Sequence, residues 1–219
     1  DRAHLFSPTG FLDDTWWHRS YWVFGRSFAE GAGGWPQAGK VAPAGRILAV
    51  DDSAVYGFGR RPTYYRWRTP LEYHLFATPK VPEIVRDPIG REIRRGGKVR
   101  RRMVPHPQYR WSRPVPMLVR AMVKADNKLF IAGPPDVVDE EVAFDRVGDP
   151  ELDKRLAAQD AAMLGKRGAL LWAVSSEDGK KLSELKLESL PAFDGLIAAG
   201  GRLFLVTENG EVVCLGRAG

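Results

Sequence analysis

The stretch that decides the fold lies at the end of the chain, from Gly168 to Gly219, and reads GALLWAVSSEDGKKLSELKLESLPAFDGLIAAGGRLFLVTENGEVVCLGRAG. It opens with an apolar run, Ala169–Ser175, which ends in the turn residues Ser-Glu-Asp-Gly. The next run, Leu182–Leu187, alternates apolar and polar side chains. Strict alternation is typical of a β-strand with one buried face. These two runs therefore predict a pair of strands joined by a tight turn.

Three further strand-like runs follow in the same stretch. They are Leu196–Ala199, Arg202–Thr207 and Glu211–Leu215, separated by a Gly-Gly pair and by Glu-Asn-Gly. Asn-Gly is a strong hairpin signal because both residues tolerate the positive φ of a tight turn. The end of the chain is therefore predicted to form a small antiparallel meander.

The same pattern recurs earlier, so the chain contains an internal repeat. Arg46–Arg60 places two apolar runs, Ile47–Val50 and Ala54–Phe58, around an Asp-Asp-Ser turn, and Lys128–Gly133 again puts a basic residue before an apolar strand. The repeats lie 82 and 74 residues apart, counted between Ile47, Leu129 and Leu203. In proteins built from repeated small β-sheets, the repeated unit is usually 40–50 residues or so long. We therefore expect long insertions between the repeated units.

Two insertions are predicted, one basic and one helical. The first spans residues 79–116, and the second spans residues 149–165. In the second, Asp149 is placed to cap a helix and Pro150 suits its first turn. Leu152, Leu156 and Leu164 recur near helical spacing. We expect one helix over Asp149–Leu164, packed against the edge of the β-structure.

The repeat resembles that of pyrroloquinoline-quinone (PQQ) type β-propellers, in which a Trp strand leads into an Asp-Gly-x-Lys turn and a Gly-Leu strand follows. The matching segments are Leu171-Trp172-Ala173-Val174, Asp178-Gly179-Lys180, Asp194-Gly195, Gly201-Arg202-Leu203-Phe204-Leu205 and Asn209-Gly210-Glu211-Val212-Val213-Cys214-Leu215. The likeness is good for this last unit and partial elsewhere.

The resemblance implies an all-β chain of the quinoprotein alcohol dehydrogenase-like type, with four-stranded antiparallel blades. The approximate units are residues 1–78, 117–147 and 168–219. Three units are fewer than a closed propeller needs, so we expect part of a larger ring, carrying one inserted helix and a basic hairpin. The family is bacterial and exported, which predicts a periplasmic or otherwise extracytoplasmic location.

A dense group of cations marks the first insertion. We call residues 86–102 the basic arm; its cations are Arg86, Arg91, Arg94, Arg95, Lys98, Arg100, Arg101 and Arg102. The glycines at 96 and 97 suggest a two-stranded ribbon or a mobile loop. The arm is predicted to bind an anionic surface, such as a phosphate backbone, an acidic polysaccharide or lipid headgroups. The alternative is a solvated surface hairpin, and no base-reading motif accompanies it.

Near the start of the chain, aromatic and ionisable residues alternate densely. The candidate ligand-binding residues there are Asp13, Asp14, Trp16, Trp17, His18, Arg19, Tyr21 and Trp22. A polar pocket floored by Trp rings would suit a sugar, a planar cofactor or a cation. The alternative is that the rings supply core and that Asp14 pairs with Arg19. A second aromatic pattern, Tyr65/Trp67 and Tyr73/Leu75, predicts either a planar-ligand platform or simple packing.

Catalytic and metal motifs are not evident in the sequence. The four histidines, His4, His18, His74 and His106, show no metal-ligand spacing. The acidic pairs and triplet at residues 13–14, 51–52 and 139–141 are interpreted as turns or a charged rim. There is no Gly-x-Ser-x-Gly nucleophile elbow. The sequence therefore predicts no catalytic residue and no metal site.

The single cysteine, Cys214, excludes an intramolecular disulfide. It also excludes, in this segment, the ring of adjacent cysteines that many quinone-dependent alcohol dehydrogenases place against their cofactor. Because Cys214 lies in a Val-Val-Cys-Leu strand, we interpret it as a small buried apolar residue.

Composition limits the remaining classes of protein. The 219 residues are 44% hydrophobic and carry a net charge of +6, which is enough apolar material for a sizeable core. No apolar run approaches the roughly 18 residues of a membrane-spanning helix. The chain begins DRAHLFSPTG without an initiator Met, so either a leader was removed or, as we expect, it begins inside a longer protein.

From the sequence we expect a non-catalytic binding or scaffold propeller without a cofactor, presenting loops to a protein or glycan partner outside the cytoplasm. The alternative is part of a PQQ-dependent quinoprotein dehydrogenase that oxidises alcohols or sugars. For that class the resemblance implies a quinone at the ring centre, Ca²⁺ held by carboxylates and a catalytic Asp. None of these can be assigned to a matching position in this sequence, which favours the binding module.

Overall fold

A computed structural model describes residues 3–15, 19–24, 42–61, 73–86, 92–101 and 103–216. In these residues the chain is built mainly of antiparallel strands grouped into several sheets, with two helices. The all-β class predicted from the sequence is confirmed. The predicted candidates at positions 16–18, 65, 67, 91 and 102 lie outside the described residues.

The first half of the chain forms eleven of the described strands. In order they are β1 (Ala3–Phe6), β2 (Ser20–Phe24), β3 (Ala44–Gly45), β4 (Ile47–Val50), β5 (Ala54–Arg60), β6 (Tyr73–Pro79), β7 (Glu83–Arg86), β8 (Glu92–Arg95), β9 (Lys98–Arg101), β10 (Met103–His106) and β11 (Trp111–Arg113). They assemble into an N-terminal sheet ordered β1-β2-β3 and a four-stranded sheet ordered β11-β6-β5-β4. Between β6 and β11 the chain makes two small ladders, β7 with β10 and β8 with β9.

The second half adds seven described strands and both described helices. They are β12 (Ala121–Ala125), β13 (Lys128–Gly133), α1 (Glu140–Asp145), α2 (Pro150–Met163), β14 (Ala169–Ser175), β15 (Lys181–Leu187), β16 (Pro191–Ala199), β17 (Arg202–Thr207) and β18 (Val212–Leu215). Their sheets are ordered β12-β13-β14-β15 and β16-β17-β18. The chain therefore leaves this sheet after β13, forms both helices and rejoins the same sheet at β14.

The predicted hairpin at Arg46–Arg60 is confirmed as β4 and β5. Its turn is held by Asp51, whose Oδ1 accepts hydrogen bonds from the backbone N–H of Ser53 and Ala54, each at 2.8 Å, while Tyr56 Oη donates to Oδ2 at 3.0 Å. Burial opposes ionisation of this carboxyl, but the hydrogen bonds win and lower the pKa of Asp51 to about 2. The acidic pair is thus a turn, as interpreted from the sequence.

The main core lies between the two four-stranded sheets. Phe58 and Leu75 of one sheet pack in the same cluster as Leu129 and Ile131 of the other, and all four are almost completely buried. The indole of Trp111 crosses between the sheets and donates to the carbonyl of Ser176 at 3.0 Å. A second cluster joins β12–β14 to the last sheet. As a result β4, β12 and β16, the first strand in sequence of each of three successive sheets, contact one another in turn.

The C-terminal stretch is divided between two sheets. The meander holds for β16, β17 and β18, but β14 and β15 pair onto β12 and β13 instead of joining it. A register shift between Ala173 and Val174 marks the β14–β15 ladder. The interpretation of Cys214 as buried was wrong: its side chain is exposed. Because β18 lies at the edge of its sheet and alternates, Val213 and Leu215 contact the core while Cys214 points away from it.

The predicted helix is confirmed, and a second helix was missed. α2 begins after Asp149, whose carboxylate accepts from the N–H of Glu151 at 2.9 Å, with Pro150 in the first turn. α1 is short and buries no residue; Asp139, taken from the sequence as part of a turn or rim, caps it by accepting from the N–H of Val142 at 2.9 Å. Neither described helix is long and apolar enough to cross a membrane.

Candidate anion-binding site

A cleft of about 410 Å³ opens where the two four-stranded sheets meet the helices. Three arginines line it, Arg46, Arg60 and Arg120, and we call it the arginine cleft. Its other lining residues are Asp14, Phe58, Tyr73, Leu118, Val119, Pro134, Glu140, Gln159 and Met163. Among these lining residues, three guanidinium groups outnumber two carboxylates.

Each arginine reaches the cleft because it lies at the end of a strand. Arg46 directly precedes β4, and its N–H donates to the carbonyl of Phe58 at 2.8 Å. Arg60 is the last residue of β5. Arg120 directly precedes β12, and its N–H donates to the carbonyl of Ala132 at 2.8 Å. The three guanidinium groups thus come from two different sheets, each supported by backbone pairing.

A carboxylate from the segment between β1 and β2 already lies between two of these arginines. Asp14 follows β1, and its Oδ1 accepts from Arg46 Nη2 at 2.7 Å while its Oδ2 accepts from Arg120 Nη2 at 2.6 Å. Arg120 Nη2 also contacts Glu208 Oε1 at 2.6 Å, at the end of β17. This chain of ion pairs links the segment after β1 to residues that directly flank β4, β12 and β17. Charge-assisted bonds of this length are among the stronger polar contacts in proteins.

An aromatic wall adjoins the guanidinium groups. The rings of Phe58 and Tyr73 are stacked, with centroids 5.1 Å apart and an angle of 13° between the planes. Phe58 is buried at the floor, while Tyr73 is only partly buried. The guanidinium carbon of Arg60 lies 5.6 Å from the Tyr73 ring centroid. The lining of the cleft therefore places an aromatic pair directly beside a guanidinium group.

Arg19 adds to the positive field behind the cleft. It is 5% exposed, and burial lowers the pKa of Arg19, with nearby Arg60 and Arg46 also acting in that direction and Tyr73 opposing them. The guanidinium still stays charged at neutral pH, since an arginine titrates only far above it. A fourth cation is thus held close to the arginines that line the cleft.

The predicted ligand-binding stretch is brought only partly to this cleft. Of its described members, Asp14 lines the cleft and Arg19 lies behind it. Asp13 accepts from the N–H and the hydroxyl of Thr15, both at 3.0 Å. Tyr21 belongs to the N-terminal core, and Trp22 packs with Phe24 and Val55. The indole N–H of Trp22 donates to the carbonyl of Lys80 at 3.0 Å. Trp16, Trp17 and His18 are outside the described residues.

The basic arm is a β-ribbon in its described part. β8 and β9 pair across a turn at Gly96-Gly97, both with positive φ, and β7 pairs with β10 in a separate ladder. This confirms the ribbon among the two possibilities that the glycines left open. Of the arm's cations, Arg86 and Lys98 are exposed. For Arg94, Arg95, Arg100 and Arg101 the structure places the backbone in β8 and β9.

A second polar pair lies in the core, away from the arginine cleft. His74 is 2% exposed and its Nδ1 lies 2.6 Å from Ser112 Oγ, with the rings of Phe76 and Tyr109 beside it. Burial lowers the pKa of His74 to about 4, and the charge of Arg61 acts in the same direction. The imidazole is therefore neutral near pH 7 and packs as part of the sheet.

Metal ligands do not cluster in the part of the chain that the structure describes. Within it, no group of three or more His, Cys, Asp or Glu side chains is placed to hold a metal ion.

Sequence reasoning missed the three arginines as a site. Arg46 was noted only as a basic residue before an apolar strand, and Arg60 only as the end of that hairpin. Nothing local marks Arg120 as their neighbour, because it lies 60 residues beyond Arg60 and in another sheet. The usable signal was the repetition of a basic residue at strand ends.

Comparison with known proteins adds no further signal, since no family profile matches the chain and no curated protein is similar to it in sequence.

Proposed function

We propose that this chain is a non-catalytic binding module that takes an acidic ligand into the arginine cleft. The observation that carries the proposal is the convergence of Arg46, Arg60 and Arg120, from separate strand ends, on one cavity of about 410 Å³. Cavities of this size suit a small ligand or one or two units of a polymer. Backbone hydrogen bonds within the sheets fix the positions of Arg46 and Arg120, so the cleft is preorganised.

The aromatic wall favours an acidic glycan as the ligand. A pyranose ring presents a flat C–H face that packs on an aromatic ring, and Tyr73 is partly exposed beside Arg60. A carboxylate on the same sugar would meet the guanidinium groups. A partner protein with an acidic side chain is the other ligand of this chemistry, and the test below separates the two.

The sheet arrangement supports a propeller as the setting of this site. In a propeller the first strands of successive blades lie around an axis, and β4, β12 and β16 lie beside one another in that order. We propose that the described sheets are blades of a larger ring of the PQQ type, in an extracytoplasmic protein. The arginine cleft would then lie where the first strands of blades begin, near the axis.

We also propose that the basic arm contacts a polyanionic surface. Arg86 and Lys98 are exposed, and so are the apolar side chains of Val99 and Met103. The arm therefore contributes long-range attraction that depends strongly on salt. This role is separate from the cleft, since the described arm residues are not among those that line it.

Calorimetric titration with two matched glycans tests the proposal. Oligogalacturonate should bind saturably, while the neutral galactose oligomer should not, because only the first carries carboxylates. Arg60→Gln should weaken binding at least tenfold, whereas Lys154→Gln, a change at an exposed helix residue, should leave it unchanged. Absence of binding to oligogalacturonate, with capture of acidic peptides instead, would favour the protein partner.

The same titration addresses the quinone alternative. PQQ carries carboxylates on a planar ring, so it is included as a third ligand, with Ca²⁺ and an artificial electron acceptor. Saturable PQQ binding with alcohol or sugar turnover would overturn the non-catalytic reading. Binding of oligogalacturonate without turnover supports it.

A further inference from the structure

The carboxylate of Asp14 occupies the position that an acidic ligand would need. We infer that Arg46 and Arg120 form a carboxylate-selective subsite, that Asp14 is its internal occupant, and that a ligand carboxylate binds by replacing Asp14. This inference rests on the proposed function and adds which arginines take the acid group and what they must first release.

The geometry matches a carboxylate closely. Arg46 Nη2 meets one oxygen of Asp14 at 2.7 Å, and Arg120 Nη2 meets the other at 2.6 Å. A single carboxylate thus bridges two guanidinium groups that come from different sheets. A ligand with the same planar pair of oxygens can make the same two bonds. A neutral sugar carries no charge with which to make these two ion pairs. The two arginines therefore select a ligand by its charge and by the planar shape of its carboxylate.

The arginines are better anchored than the aspartate. Their side chains are 17% and 18% exposed, and that of Asp14 is 34% exposed. The backbone N–H groups of both arginines are hydrogen-bonded to neighbouring strands. Glu208 Oε1 contacts the same Nη2 atom of Arg120 at 2.6 Å, and this ion pair keeps the guanidinium oriented after Asp14 departs. Replacement therefore leaves the positive side of the subsite in place.

Asp14 belongs to a segment that can move without opening the core. Residues 7–15, between β1 and β2, are mostly exposed, and Leu12 is 80% exposed. Bonds within the segment, such as Ser7 Oγ to the Gly10 carbonyl and Thr15 to Asp13, can travel with it. At Asp14 itself, replacement must break the ion pairs to Arg46 and Arg120 and the hydrogen bond from Arg46 Nη2 to the Asp14 carbonyl at 3.1 Å.

The energetic consequence is competition. Exchange of one carboxylate for another conserves the number of ion pairs. The ligand therefore gains little binding free energy from the subsite alone and depends on its other contacts. The apparent affinity is reduced by the fraction of molecules in which Asp14 holds the subsite. Removing the charge of Asp14 should raise affinity for a carboxylated ligand, although the same change removes a negative group that lines the cleft.

The matched pair Asp14→Asn and Asp13→Asn tests this. Both variants lose one negative charge at neighbouring positions, but only Asp14 contacts the arginines. With digalacturonate as the probe, we expect Asp14→Asn to bind about tenfold tighter than the wild type. Asp13→Asn should stay within twofold of the wild type. Equal tightening in both variants would show a general charge effect and would overturn the inference.

The outcomes for the inference and for the proposed function are distinct. If the wild type binds and Asp14→Asn binds equally or more weakly, the replacement model is wrong while the binding function stands. If neither binds, the proposed function itself fails. Should Asp14→Asn not fold, hydrogen exchange on the wild type decides. Faster exchange in residues 7–15 with saturating digalacturonate supports replacement, and unchanged or slower exchange overturns it.

Discussion

At the scale of single residues, His74 makes stability depend on pH. Its folded pKa, about 4, lies below the ordinary value of 6.5, because burial disfavours the charged ring. Between these values the unfolded chain binds a proton that the native chain does not. Stability is therefore full above about pH 6.5 and falls as the pH decreases towards 4. The loss at this site should be about 2–3 kcal/mol.

Urea unfolding of the wild type and His74→Gln at pH 7 and pH 4.5 measures this effect. We expect the variant to be less stable at pH 7, because the contact with Ser112 changes, but to lose less stability on acidification. His106→Gln, at an exposed histidine, should follow the wild type. An identical acid response in His74→Gln and the wild type would contradict the assignment.

Cys214 is the second residue with a direct prediction. Because the thiol is exposed on an edge strand, it should react with a disulfide-exchange reagent in the native protein. We expect one equivalent to react without denaturant, at a rate within about tenfold of a free thiol. Cys214→Ser should not react. If reaction of the wild type requires denaturant, the side chain is buried after all.

At the scale of elements, α2 depends on its cap. Asp149 accepts from the first-turn N–H of Glu151, so Asp149→Ala should lower the free energy of unfolding. Asp153→Ala changes an acidic residue of the same first turn that is not the cap, and should cost clearly less. Thermal unfolding of the two variants checks this. Equal losses would point to the helix dipole in place of the cap.

Gly133 is required where β13 passes the segment before β12. A Cβ atom at this position would lie 2.0 Å from the carbonyl oxygen of Leu118. The neighbouring atoms belong to the backbone of Leu118 and Val119, which cannot move aside easily. Gly133→Ala should therefore destabilise the protein by roughly 3 kcal/mol or more. Gly216→Ala meets only an arginine side chain at 3.7 Å and serves as the control. A stable Gly133→Ala variant would contradict the packing described here.

The elements that the sequence predicted are those with local signals. Hairpin β4–β5, strands β14–β18 and helix α2 each carry alternation, turn residues or a cap within a few positions. The assignment of β14 and β15 to the sheet of β12 and β13 was not predictable, because it depends on pairing across the inserted helices. α1 was missed since it is short and has no apolar face to bury. The exposure of Cys214 follows from its strand being at an edge, which only the sheet order reveals.

At the scale of the whole molecule, one chain of ion pairs connects four separate parts of the chain. It runs from Arg46 through Asp14 and Arg120 to Glu208. No local sequence pattern indicates this cluster, because its members are separated by 32 to 106 residues in the pairs that touch. The sequence singled out Asp14 but paired it with Arg19 in the packing alternative. The site could be assembled only once the strand ends were placed together.

We propose that the three arginines form one anion-binding cleft. Side-chain Nε–Hε signals of arginine, followed by NMR during titration with digalacturonate, test it most directly. We predict that the signals of Arg46, Arg60 and Arg120, assigned through single Arg→Lys variants, shift together and saturate at one common affinity. If these signals stay unchanged while those of the basic arm shift, the ligand binds elsewhere and the account of the cleft is contradicted.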